Sequence, residues 1–156
     1  MPTKAPPRTG IVEDNFGVIW PVHVAAFSNL LIRLRARFDG DLDLLLVLTA
    51  IAERTRRETW TPEIRTYRDL IPGAGDEAPQ TPINIQSVSD YTRIPRETVR
   101  RKVNTLAAKG WVVRRADGSL GVQKQAAQDL EGATGDTVAY LTALLQAFDT
   151  LPRGKP

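Results

Sequence analysis

Residues 83–122 read INIQSVSDYTRIPRETVRRKVNTLAAKGWVVRRADGSLGV, and the order of elements in this stretch decides the fold. Ile85, Val88 and Tyr91 recur at helical spacing, which predicts a short helix from about Ile85 to Thr92 with these three pointing inward. Arg93-Ile94-Pro95 follows as a turn. Pro95 suits the first turn of a second helix, because it has no amide hydrogen to satisfy and its φ is preset. Ile94 can plug the angle between the helices, and Ser89 offers the small side chain needed where they cross closely.

The second helix, from near Pro95 to about Lys109, sorts by angle. At ~100° per residue with Val99 at 0°, Val103 falls at ~40° and Leu106 at ~340°, a stripe to bury. Glu97, Arg101 and Asn104 fall at roughly 160°, 200° and 140° and face outward together, flanked by Arg100 and Thr105. Gly110 stops the helix. Trp111 to Arg115 is a β-type run, Ala116-Asp117-Gly118-Ser119 is a hairpin turn signal, and Leu120-Gly121-Val122 returns. The expected fold is mainly α with a small β-hairpin wing, a winged helix-turn-helix with flanking dimerisation helices.

An exposed row of Arg, Glu and Asn has the chemistry of base-edge readout. Arginine can bridge guanine O6 and N7, asparagine can bridge adenine, and glutamate can accept from cytosine N4. Arg96, Glu97, Arg101 and Asn104 are the expected base readers. Arg93, Thr98, Arg100, Lys102, Arg114 and Arg115 are expected on the DNA backbone, the last two from the wing. The charge distribution agrees. Between Arg93 and Arg115 lie eight basic residues against one acid, so a chain of net charge +3 carries +7 here and −4 elsewhere. A solvated helix face with a Glu97–Arg101 ion pair is the plainer reading of the same residues.

Arg96-Glu97-Thr98-Val99-Arg100-Arg101 resembles the recognition-helix core of the cyclic-AMP receptor family of bacterial regulators. That resemblance implies that Arg96, Glu97 and Arg101 read bases. Leu106-Ala107-Ala108-Lys109-Gly110-Trp111-Val112 is similar to an ending shared by many winged-helix regulators, the MarR and GntR families among them. The likeness covers about 40 of the 156 residues. Arg93 stands at a turn position often held by glycine. No β-roll or glycine-rich phosphate cassette precedes the motif, so cyclic-nucleotide binding is not implied.

Around this unit, assigned to 82–123, residues 1–10 read as a Pro-rich disordered arm and 11–58 as N-terminal helices. Val24, Phe27, Leu31, Leu34 and Phe38 set a helical period after Pro21, ended by Gly40. Asp41 or Asp43 opens a core helix toward Arg54, Arg56 and Arg57. Residues 59–81 form a connection in which Thr61-Pro62-Glu63 could start a short helix. Residues 124–150 are C-terminal helices, with a break at Gly132–Gly135 and Asp136 capping the last. Phe27, Leu31, Leu34, Val138, Leu141, Leu145 and Phe148 are the expected dimerisation residues of a homodimer.

Composition narrows the classes further. The chain has no cysteine and one histidine, His23, which rules out disulfides and thiolate chemistry and leaves no histidine metal cluster. No pair of carboxylates sits in a catalytic motif, so no enzyme, cofactor or metal is expected. The most apolar run, Leu42–Ala52, is too short to span a bilayer, and a cytoplasmic location is expected by default. Trp20 and Trp60 are read as core aromatics before pocket residues. The expected function is sequence-specific duplex DNA binding by a homodimeric transcriptional regulator, with effector unknown. A replication, partition or phage-type DNA-binding protein, or a winged helix that binds protein, are the alternatives.

Overall fold

Asp41 caps a helix: its carboxylate accepts from the Leu44 amide at 2.9 Å, and the following residues alternate on a helical period that buries Leu44, Val47, Leu48 and Ile51. This helix, α3 (Leu42–Arg54), is the centre of the larger of two compact units, which comprises residues 34–134. The structure is a computed structural model that describes residues 8–55 and 82–152. In chain order it holds α1 (Arg8–Asp14), α2 (Phe16–Arg37), α3, α4 (Ile85–Thr92), α5 (Arg96–Ala108), β1 (Val112–Arg114), β2 (Leu120–Val122), α6 (Lys124–Asp129) and α7 (Glu131–Asp149). The protein is thus mainly helical with a small two-stranded antiparallel sheet. The 59–81 connection, its Thr61-Pro62-Glu63 start, Trp60 and residues 1–7 of the expected arm lie outside the described residues.

In the unit 34–134, α3, α4 and α5 pack on one another around a single apolar core. Val88, Val99, Val103, Leu106 and Leu120 are fully enclosed in it. The strands pair Val112 with Val122 and Arg114 with Leu120. An isolated bridge adds Ile83 to the other edge of β2, with the Leu120 amide donating to the Ile83 carbonyl at 2.7 Å. The chain entering α4 is therefore stitched to the hairpin 37 positions later, a pairing that no local pattern announces. Phe38 meets Trp111 edge-on at 5.7 Å, and the Trp111 indole donates to Asp129 Oδ2 at 2.8 Å.

Residues 1–33 with 135–156 form the other unit. Arg8, Thr9 and Gly10, expected in the arm, belong to α1. Helix α2 begins at Phe16, five residues before the expected start, and carries Pro21 inside it. The ring removes one helical hydrogen bond, and the Gly17 carbonyl that would have received it lies at an exposed residue where water can serve. By length and composition α2 is apolar enough to cross a membrane, its uncharged stretch Phe16–Ile32 being longer than the Leu42–Ala52 run.

Two more expectations are corrected. Helix α7 runs unbroken from Glu131 through Gly132 and Gly135, so the break falls at Leu130 and Asp136 is an interior residue rather than a cap. Its carboxylate meets Arg33 at 3.3 Å. Gly132 has a packing reason, since a side chain there would collide with the Arg37 guanidinium. Tyr91 does not point inward. The wheel of α4 continues its buried side through Ser89 and Thr92, leaving Tyr91 half exposed with its hydroxyl donating to Glu53 Oε2 at 2.7 Å.

Candidate nucleic-acid interface

The turn between α4 and α5 sets the angle at which α5 is presented. Asn84 caps α4 by accepting from the Ser87 amide at 2.9 Å. Arg93 ends it in the left-handed region at φ 62, its amide donating to the Ser89 carbonyl. The Ser89 hydroxyl then donates to the Ile94 carbonyl at 2.7 Å, and the Ile94 side chain is buried beneath the turn. Pro95 stands at the N-cap of α5, as its preset φ allows. Every device that fixes this corner lies between Asn84 and Pro95.

Val99, Val103 and Leu106 form the buried side of α5, which turns Arg96, Glu97, Arg100, Arg101 and Asn104 to solvent. Glu97 is held by Arg100, whose Nε donates to Oε2 at 2.9 Å, an i,i+3 pair in place of the expected pair with Arg101. The Arg100 hydrogen bond outweighs desolvation and keeps the Glu97 carboxyl below its ordinary range. Arg101 reaches only the Thr98 hydroxyl, at 3.5 Å. Thr98 is half buried.

Lys102 departs from the expected row of backbone-contacting cations. It sits at the edge of the buried stripe, half buried, and closes an ion pair with Asp41 at the head of α3. Burial alone would raise the Asp41 carboxyl, but the Lys102 hydrogen bond, the Leu44 amide and the Lys102 charge together hold it below its usual value. Lys109 is likewise engaged, with Asp39 at 2.9 Å and over the Trp111 ring at 5.1 Å. Both lysines fasten the back of α5 to the 39–41 corner. Their acids lie 61 and 70 positions away in sequence, so nothing in the motif reveals the pairing.

The hairpin closes through a three-residue loop. The Arg115 amide donates to the Ser119 carbonyl at 2.8 Å, the Gly118 amide donates to the Arg115 carbonyl at 2.9 Å, and Gly118 takes φ 84. Asp117 accepts from the Ser119 amide at 2.9 Å, and hydrogen bonding from the Ser119 side chain, then from its amide, holds the carboxyl below the ordinary range. Arg114 and Arg115 are exposed at this end. Among the described residues, Arg93, Arg96, Arg101, Arg114 and Arg115 have no carboxylate partner. Five exposed guanidinium groups on one helix–turn–helix–hairpin segment can bind phosphates or base edges without first breaking an internal ion pair.

The expected dimerisation residues are placed differently from these. Phe27, Leu31, Val138, Leu141 and Leu145 are exposed, while Leu34 and Phe148 are half buried. The exposed group Tyr91, Glu53 and Arg54, whose guanidinium lies 4.7 Å from the Tyr91 ring centre, escaped the sequence pattern altogether. Only the neighbouring aromatic and basic positions hint at it. Trp20 lines no core: it is half exposed, stacked on Phe16 and tilted against the His23 ring. Compared with protein families, with curated proteins and with solved structures, the chain finds no match in any of the three.

Proposed function

We propose that the segment 83–122 is a winged helix-turn-helix and that the protein binds duplex DNA with sequence preference, as a transcriptional regulator acting in the cytoplasm. One observation carries the reading. Helix α5 buries Val99, Val103 and Leu106 and offers Arg96, Glu97, Arg101 and Asn104 on the side that a major groove would meet. The Ile83 bridge and the hairpin supply the remaining parts of a winged unit, and Arg114 and Arg115 stand where the wing would touch phosphate or a minor groove. Arg93, at the turn, and Arg100, bound to Glu97, add backbone-directed charge.

The test is a titration of the full chain with random-sequence duplex at low salt, followed by selection of bound sequences. Binding that weakens steeply with salt, with an enriched site emerging from selection, is expected. No binding at low salt would overturn the reading in favour of a protein-binding winged helix. Where the enriched sites fall in the genome separates regulation from replication or partition, since all of these use the same module.

A further inference from the structure

The unit of residues 1–33 and 135–156 has almost no interior. Among its described residues only Ile19, Leu30 and Ala147 are buried apolar side chains. On α2, Phe16, Trp20, Val24, Phe27 and Leu31 are all exposed and fall within an ~80° sector of the helix. On α7, Val138, Leu141 and Leu145 are exposed within ~60° of one another. His23 and Phe27 meet Tyr140, and Arg33 meets Asp136, so the helices run antiparallel and both stripes come to the same side of the pair. We propose that this α2/α7 face docks against the same face of a second copy of the chain.

Three observations select a second copy. The first is charge. Phe16 to Ile32 and Thr137 to Phe148 contain no Asp, Glu, Lys or Arg, so the face has nothing to choose a charged partner with and is complementary to itself. The second is polar satisfaction. The lone histidine of the chain sits within the stripe, but its Nδ1 is 2.8 Å from the Tyr140 hydroxyl, so covering the face leaves this pair hydrogen-bonded. The third is size. Three partly exposed aromatics and five aliphatics offer on the order of 700 Å² per copy, close to the ~800 Å² that each partner of a standard interface contributes. The ring ladder Phe16–Trp20–His23–Phe27, with centroids 5.0, 5.0 and 5.2 Å apart, gives this face a preformed shape that a fluid lipid surface does not require.

The inference does not depend on DNA binding, and its test uses none. Sedimentation of the full chain at micromolar concentration is expected to give twice the 17.2 kDa chain mass. Leu145→Glu and Val24→Glu place a charge in the face, and each should weaken association by about 100-fold or more while keeping the helical circular dichroism. Ile32→Glu, at a residue 66% exposed and ~80° outside the stripe on α2, should leave the doubled mass intact. A wild-type chain of single mass up to roughly 100 µM would overturn the proposal. So would dissociation by Ile32→Glu as readily as by Leu145→Glu. Flotation of wild type with phosphatidylcholine vesicles, abolished by Leu145→Glu, would reassign the face to lipid.

Discussion

The two units of this chain treat their apolar residues in opposite ways. Residues 34–134 enclose a core built from three helices and a hairpin, and present exposed arginines along the 93–115 segment. Among the described residues, 1–33 with 135–156 enclose three apolar side chains and leave outside aromatics and leucines. The first pattern gives a well-buried core under a surface suited to a polyanion. The second belongs to a unit completed by something apolar. One chain therefore carries two surfaces that would bind by different physics, one weakened by salt and the other indifferent to it.

The largest effect should fall on the enclosed unit. Leu106→Ala is expected to cost about 2–5 kcal/mol, because it removes a fully buried side chain from packed surroundings. Ile32→Ala should stay within about 0.5 kcal/mol. Urea unfolding of both variants checks the contrast, and equal losses would erase it. The charged surface comes next. Arg101→Ala should cost about 1–3 kcal/mol on a selected DNA site and relax preference at one position. Arg115→Ala should instead weaken specific and random duplex alike and lower the salt slope by about one. Identical behaviour of the two arginine variants would break the division between reading and anchoring.

The 39–41 corner offers a finer test. Asp41→Ala should cost about 1 kcal/mol through its cap alone. The folded Asp41 carboxyl lies below its ordinary value, so its stabilisation is complete above the ordinary carboxylate range and is lost as pH falls through the folded value. The gap between wild type and variant should therefore narrow in acid, as pH-dependent unfolding would register. The smallest effect concerns the two glycines of α7. Gly135→Ala, with nothing near the added carbon, should stabilise by about 0.5–1 kcal/mol. Gly132→Ala should gain less, because the Arg37 guanidinium must move aside. Thermal unfolding of the pair would show the difference, and equal gains would mean that Arg37 moves freely.

The same contrast governs what the sequence makes legible. From Ile85 to Val122 every boundary falls within about a residue of expectation, because capping, proline, glycine and turn signals each act over a few residues. The buried stripe of α5 follows from periodicity alone. Tyr91 breaks its pattern because the side chain finds Glu53 on another helix. Lys102 leaves the charged row because Asp41 reaches it from far along the chain. In α7 the pair Gly132 and Gly135 reads locally as a break, yet helix on either side carries through it. Contacts between distant residues decide the first two of these, and a local pattern holds no record of them.

Arg93 carries a consequence for directed evolution. An arginine held at φ 62 is strained by roughly 1–2 kcal/mol where glycine would rest at ease. A library at position 93 screened only for survival of heating should return glycine or asparagine. The same library screened for retention on DNA should keep a cation. Divergence of the two winners would show that position 93 holds its charge against the preference of the backbone.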